Sequence, residues 1–151
     1  MPAEGSESET MVVADVLARR LLVLNECLAE LERPECGQAR SLVADAVLRA
    51  AVERWMQVAI DSACDMAYHL AAAEGWTPPT SARDAFRVLA GHGRIAIDLA
   101  DRLGLAAGLR NILVHEYAAI DLELVARAVR EDLGDLRAFA AQAATWLGPT
   151  A

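Results

Sequence analysis

ARSLVADAVLRAAVERWMQVAIDSACDMAYHLAAAE, residues 39–74, reads as one long helix: Leu48, Val52, Trp55, Ala59, Ser62, Met66 and Leu70 recur at the three- and four-residue spacing of a single helix face. Gly75 and then Pro78-Pro79 end it, the first by its backbone freedom and the second by lacking amide donors. A helix with so long an apolar stripe needs partners, which points to a bundle.

Working outward, residues from about Val12 to Glu32 repeat the same period through Val13, Val16, Leu17, Leu21, Leu24, Leu28 and Leu31, before Pro34 and Gly37 break it. Downstream, Thr80 or Ser81 is placed to cap a short helix with Asp84 in its first turn and Phe86 and Leu89 facing inward, until Gly91 and Gly93 interrupt. From Arg94 the pattern resumes through Leu99, Leu103, Leu105, Leu109 and Leu113, with Gly104 and Gly108 as weak points or close-packing sites. Asp121 can cap a last helix in which Leu122, Val125, Val129, Leu133, Leu136, Ala140, Ala143 and Leu147 precede Gly148-Pro149. Strand signals are nearly absent. The expected fold is an all-α antiparallel bundle of four to five helices over residues 12–147, with a disordered leader at 1–11 and a tail at 148–151.

The composition suits one such domain: 151 residues, 55% hydrophobic but only 5% aromatic. No apolar run reaches the roughly 18 residues that cross a bilayer, and Met1 to Thr10 is acidic and polar, so a cytoplasmic protein with no membrane partner is expected. Cys27, Cys36 and Cys64 are odd in number and form no CxxC pair, which favours buried, inert thiols over disulfides or a thiolate metal site. His69 and His92 belong to no HxxxH pair and are expected in solvent-facing or capping roles, and no glycine-rich phosphate loop is present; no metal and no cofactor are expected. Trp55, Trp76 and Trp146 read as core or interface anchors. A net charge of −8 excludes a broad nucleic-acid-coating surface and makes DNA an unexpected partner, so any phosphate chemistry must be local. All 14 basic residues are arginine, a bias that a GC-rich genome also produces.

The chemistry-bearing stretch is Arg110-Asn111-Ile112-Leu113-Val114-His115-Glu116-Tyr117. On a regular helix Leu105, Leu109, Ile112 and Leu113 share the core side, whereas the polar residues avoid it. Arg110 and His115 fall roughly 140° apart around the axis, too far to grip one phosphate from one undistorted helix. Either the helix ends near the motif or two copies converge in a symmetric dimer. Ile60, Ala63 and Ala67 on the long helix and Val114 beside the motif lie off the main core stripes and are expected at that dimer contact. Histidine can accept a 2′-hydroxyl proton near neutral pH, and arginine can stabilise charge growing on phosphate oxygens, which together permit metal-free cleavage of RNA to a 2′,3′-cyclic phosphate. Asn111 can orient His115 or donate to phosphate; Tyr117 can hydrogen-bond or stack on a base. Spacing alone, however, reads an arginine and a histidine on a helix more often as a surface ion-pair residue and a solvent-facing histidine. Asp61 and Asp65, four apart on the long helix, are read as a solvated face or as part of the cleft.

Arg110-Asn111-x-x-x-His115-x-Tyr117 resembles the Rx4HxY motif of the HEPN superfamily, and of its HepT branch in particular. Gln57-Val58-Ala59-Ile60-Asp61, Pro78 before Ala85-Phe86 and Leu89, Gly108-Leu109-Arg110-Asn111, and Ile120-Asp121 after the motif are similar to HepT sequences in the same order, so the resemblance covers about Val12 to Leu147. It implies a helical bundle that dimerises with paired motifs lining a cleft, and an RNase toxin paired with a nucleotidyltransferase antitoxin of the MNT (MntA-like) type that can transfer AMP to the motif tyrosine. Carried onto this chain, Arg110 and His115 become the catalytic pair, Asn111 a supporting group and Tyr117 the AMPylation target; RNA, the antitoxin and a second copy become the expected partners. The competing expectation is a non-catalytic HEPN protein that binds a minimal nucleotidyltransferase and positions its substrate; a plain structural bundle is a third.

Overall fold

The structure, a computed structural model, describes the backbone of residues 3–115 and 121–147 and the side chains of 13–114 and 121–147. Among these residues there are α-helices and turns and no strand. Six α-helices follow one another: α1 (Ala3–Leu31), α2 (Ala39–Ala44), α3 (Ala46–Ala73), α4 (Ala82–Gly91), α5 (Ile97–His115) and α6 (Leu122–Trp146), with a 3₁₀ turn at Pro34–Gly37 between α1 and α2. No helix among the described residues is long and apolar enough to cross a membrane.

The long pattern at 39–74 is two helices rather than one. Asp45 has extended backbone (φ −127°, ψ 101°), and its Oδ1 accepts from the amides of Val47 and Leu48 at 3.0 and 3.1 Å. It therefore caps α3 and detaches the six-residue α2 from it. The apolar period runs through the break unchanged, which is why periodicity alone reads the segment as continuous. At the other end of the chain's first helix, α1 begins at Ala3 and so runs through residues 3–11, earlier than the apolar repeat near Val12. Glu4, Glu7 and Glu9 in that stretch are residue types that suit a helix N-terminus without adding to an apolar stripe.

The other helix starts follow the expected caps. Ser81 Oγ accepts from the Asp84 amide at 3.0 Å while Asp84 Oδ2 accepts from the Thr80 amide at 2.9 Å, a reciprocal pair that fixes the entry to α4. Asp121 accepts from the amides of Glu123 and Leu124 and starts α6. At the end of α4, His92 is the C-cap residue and its ring lies flat on Trp76, centroids 3.8 Å apart at 3°, tying the ends of α3 and α4 together.

α3 is the hub, packing on every other α-helix. One side meets α1 and α6, where Leu17, Leu24, Leu28 and Leu31 of α1, Met56, Ile60 and Met66 of α3, and Val125, Val129 and Leu136 of α6 are buried. Phe139 crosses this layer edge-on to both Phe86 (5.8 Å, 86°) and Trp146 (5.5 Å, 85°). Burying side chains of this size contributes about 1.5–3 kcal/mol each.

A hub helix has no spare apolar face, and this corrects the expected dimer contact. Ile60, Ala63 and Ala67 are all within 1% of complete burial in the chain's own core. Leu105 departs from expectation in the other direction: it is 68% exposed, because the buried side of α5 is set by Leu99, Leu103, Ala106, Leu109 and Leu113, and Leu105 lies off it. Cys27, Cys36 and Cys64 are buried free thiols, as expected.

Candidate functional site

The second side of α3 is built differently. Asp61, Cys64, Asp65 and Tyr68 of α3 face Ser81, Ala82 and Arg83 at the start of α4, and Gly104, Ala107, Gly108, Arg110 and Asn111 of α5, around a groove of about 460 Å³. Gly104, Ala107 and Gly108 present no large side chain, so α5 leaves open the space that its apolar residues would fill elsewhere.

Arg110 lines this groove and stays out of the apolar core. Its side chain is 34% exposed; Nε donates to Asp61 Oδ1 at 2.5 Å and Nη1 to Asn111 Oδ1 at 3.4 Å. Asp61 thus holds the Nε edge from α3, and Asn111 steadies one terminal nitrogen from the next residue. A guanidinium carries five N–H donors in a rigid fork, so donors remain for an incoming oxyanion, aimed by the carboxylate behind them. Asp65, one turn further along α3, pairs with Arg20 of α1 at 3.6 Å. Asp61 and Asp65 both line the groove while remaining partly exposed.

α5 is helical as far as His115, the last described residue before 121. On such a helix positions 110 and 115 lie about 140° apart around the axis. Glu116 and Tyr117 lie outside the described residues, and so does the expected modification position. Val114, the remaining residue assigned to a dimer contact, is half-buried.

Cys64 lines the groove between the two aspartates, and it is a neutral thiol at physiological pH. Burial, with Asp61 and Asp65 nearby, pushes its pKa up to about 12, which removes it as a thiolate nucleophile. Tyr68 is shifted upward as well, by burial and then by Cys64 and Asp84, so its hydroxyl stays protonated. No group of three or more His, Cys, Asp or Glu that could hold a metal gathers among the described residues.

Sequence reasoning does not find Tyr68, Ser81 or Arg83 as groove residues. The one local signal is the pair of glycines in α5: Gly104 is indeed a close-packing site, since a Cβ there would stand 2.9 Å from Arg83 Cγ, whereas a Cβ at Gly108 would meet nothing within 4 Å.

Comparison with known proteins adds a second line of observation. Residues 24–143 match the family described as Ribonuclease HepT-like. A relative from Shewanella oneidensis, mRNA nuclease HepT, is 28% identical over 125 residues, covering 83% of this chain and 93% of the relative. Among solved structures, the tri-AMPylated Shewanella oneidensis HEPN toxin in complex with MNT antitoxin superposes with a TM-score of 0.78 at 27% identity, covering 87% of this chain and 98% of that one. A toxin-antitoxin crystal structure with AMP-PNP gives the same TM-score at 26% identity and the same coverage. The cytosolic protein YutE from Bacillus subtilis shares the fold, with a TM-score of 0.78 at 18% identity over 89% of this chain and 93% of YutE.

Proposed function

Because this chain belongs to the HepT-like ribonuclease family, we propose that it is the toxin of a HepT/MntA-type toxin-antitoxin pair and cleaves RNA without a metal ion. The observation that carries the proposal is the Arg110 guanidinium, aimed into an open groove by Asp61 and steadied by Asn111.

In the proposed reaction the ribose 2′-oxygen attacks the adjoining phosphorus, His115 takes the 2′ proton, and the bond to the 5′-oxygen breaks. The products are a 2′,3′-cyclic phosphate and a 5′-hydroxyl, whose proton the imidazolium can return. Arg110 stabilises the extra negative charge on the non-bridging oxygens, the role for which fixed donors in a partly enclosed site are most effective. Since α5 separates Arg110 from His115 by about 140°, the working site combines Arg110 of one copy with the imidazole of a second across a two-fold axis. A cognate MNT nucleotidyltransferase neutralises the toxin by transferring AMP to Tyr117, which adds bulk and negative charge where a phosphate must enter.

The test is cleavage of RNA by the purified protein in EDTA, with intact mass showing Tyr117 unmodified. Activity lost in Arg110→Ala and His115→Ala, with unchanged circular dichroism, is the expected result. Folded, unmodified wild type that leaves RNA intact would instead identify a non-catalytic partner that positions a substrate for the nucleotidyltransferase. AMP added by the antitoxin and then removed by phosphodiesterase is expected to restore cleavage; removal without recovery would contradict the neutralisation mechanism.

A further inference from the structure

The groove contains a second guanidinium that the motif does not include. Arg83, in the first turn of α4, lays its stem across α5 at Gly104, where an added Cβ would come within 2.9 Å of Cγ, 3.5 Å of Nε and 3.6 Å of Cδ. Glycine is disfavoured inside a helix relative to alanine. Here the missing methyl is the space that the arginine stem occupies, so Gly104 serves as the seat of Arg83. Its head is left exposed on the groove wall.

The pairing of the groove's charges leaves Arg83 outside any ion pair among the described residues: Asp61 is paired with Arg110 and Asp65 with Arg20. In a chain of net charge −8, a groove whose two lining carboxylates are matched by two guanidinium groups, one of them outside these ion pairs, is a local exception that can take an anion. Gly104, where the Arg83 stem is seated, and Arg110 are six residues apart on α5, or roughly 9 Å along the axis, so the two arginines reach the groove at separate points.

We propose that Arg83, seated by Gly104, binds the phosphodiester next to the scissile one, so that the groove between α3, α4 and α5 is a subsite for single-stranded RNA. This inference rests on the ribonuclease reading, and the experiment separates the two. Binding of a labelled single-stranded RNA to the folded, cleavage-silent His115→Ala protein is followed by fluorescence anisotropy across a salt series. Adding Arg83→Ala is expected to weaken binding roughly ten- to a hundred-and-fifty-fold, the value of one charge-assisted hydrogen bond. The slope of log affinity against log salt should fall by about 0.7, the change that follows when one phosphate of a single strand is no longer neutralised. Gly104→Ala is expected to weaken binding similarly although Arg83 is retained, and to add nothing once Arg83 is already alanine.

Tight RNA binding that Arg83→Ala leaves unchanged in affinity and slope would overturn the subsite and leave the ribonuclease reading standing. A further weakening from Gly104→Ala in the absence of Arg83 would overturn the seat. Failure of the folded His115→Ala protein to bind RNA at all would overturn the ribonuclease reading and the subsite with it.

Discussion

The two sides of α3 follow opposite rules. Toward α1 and α6 it presents Met56, Ile60 and Met66 to a closed aliphatic and aromatic layer, where each side chain is held by volume alone. Toward α4 and α5 it presents two carboxylates, a buried thiol and a tyrosine to a groove whose far wall is partly glycine and alanine. The first side is a core that tolerates no gap, because interiors pack at crystal density. The second keeps its gap open and lines it with fixed charges. Although α4 and α5 also give Phe86, Leu89, Leu103 and Leu109 to the core, the groove itself is lined by polar and small residues, so substitutions in the layer and in the groove should part stability from activity.

The largest effect on the closed side is expected from Phe139→Ala, which deletes the ring wedged between Phe86 and Trp146. Unfolding by denaturant should show a destabilisation of about 3–5 kcal/mol, with RNA cleavage per folded molecule nearly unchanged. A comparable drop in specific activity would mean that the two sides are not independent.

On the groove side, Asp61→Ala is expected to lower kcat roughly ten- to a hundred-fold, corresponding to about 1.4–2.7 kcal/mol of transition-state stabilisation, while Tm changes little. Asp61→Asn, which keeps an oxygen for Arg110 Nε, should recover part of the rate. Full activity in Asp61→Ala would show that Arg110 needs no carboxylate behind it.

A third contrast is electrostatic and lies on α6. Asp132 is half-buried; burial first, then Asp135 and Glu131, raises its pKa from 3.8 to about 6. Its folded-state pKa lies above the unfolded value, so the folded state holds a proton that the unfolded state has lost between about pH 4 and 6. Stability attributable to this residue therefore falls as pH rises through that window. Asp132→Asn should raise stability at pH 7 by roughly 1 kcal/mol after allowance for solvent screening, and the gain should vanish below about pH 4. A gain equal at both pH values would point to packing rather than charge.

The smallest expected change comes from the cap between the two helices of residues 39–74. Asp45→Ala removes the acceptor of the Val47 and Leu48 amides and should cost about 1 kcal/mol. If instead α2 and α3 fuse into one helix, the destabilisation will be smaller and helical content will rise.

These contrasts also explain which features are legible in the sequence. Ser81, Asp84 and Asp121 announce helix starts by local chemistry, and the stripes of α1, α3 and α6 announce burial by period, so the closed side can be read residue by residue. Asp45 escapes because the apolar period continues through it. Ile60, Ala63 and Ala67 read as contacts to a second copy because a stripe describes one face, whereas a helix packed all round buries its flanks too. Leu105 is the reverse, an apolar residue that the packing of α5 leaves in solvent. On the groove side, Arg110 stands out through its motif, and its partner Asp61 is one of two aspartates open to either reading. Arg83 cannot be found at all, because its place depends on α4 docking against a glycine of α5 some twenty residues away. Charged residues gain their meaning from tertiary neighbours, and local pattern carries little of that.

The central claim, that Arg110 and the imidazole of His115 act together across two copies of the chain, is tested most directly by mixing. Arg110→Ala and His115→Ala proteins, each inactive and each shown to be folded, are co-refolded in equal amounts and assayed on RNA in EDTA. A composite site predicts that the mixture regains roughly a quarter of wild-type activity, since half the dimers are mixed and each of those has one intact site of two. A mixture as inactive as its components, with mixed dimers demonstrated by mass, would contradict it.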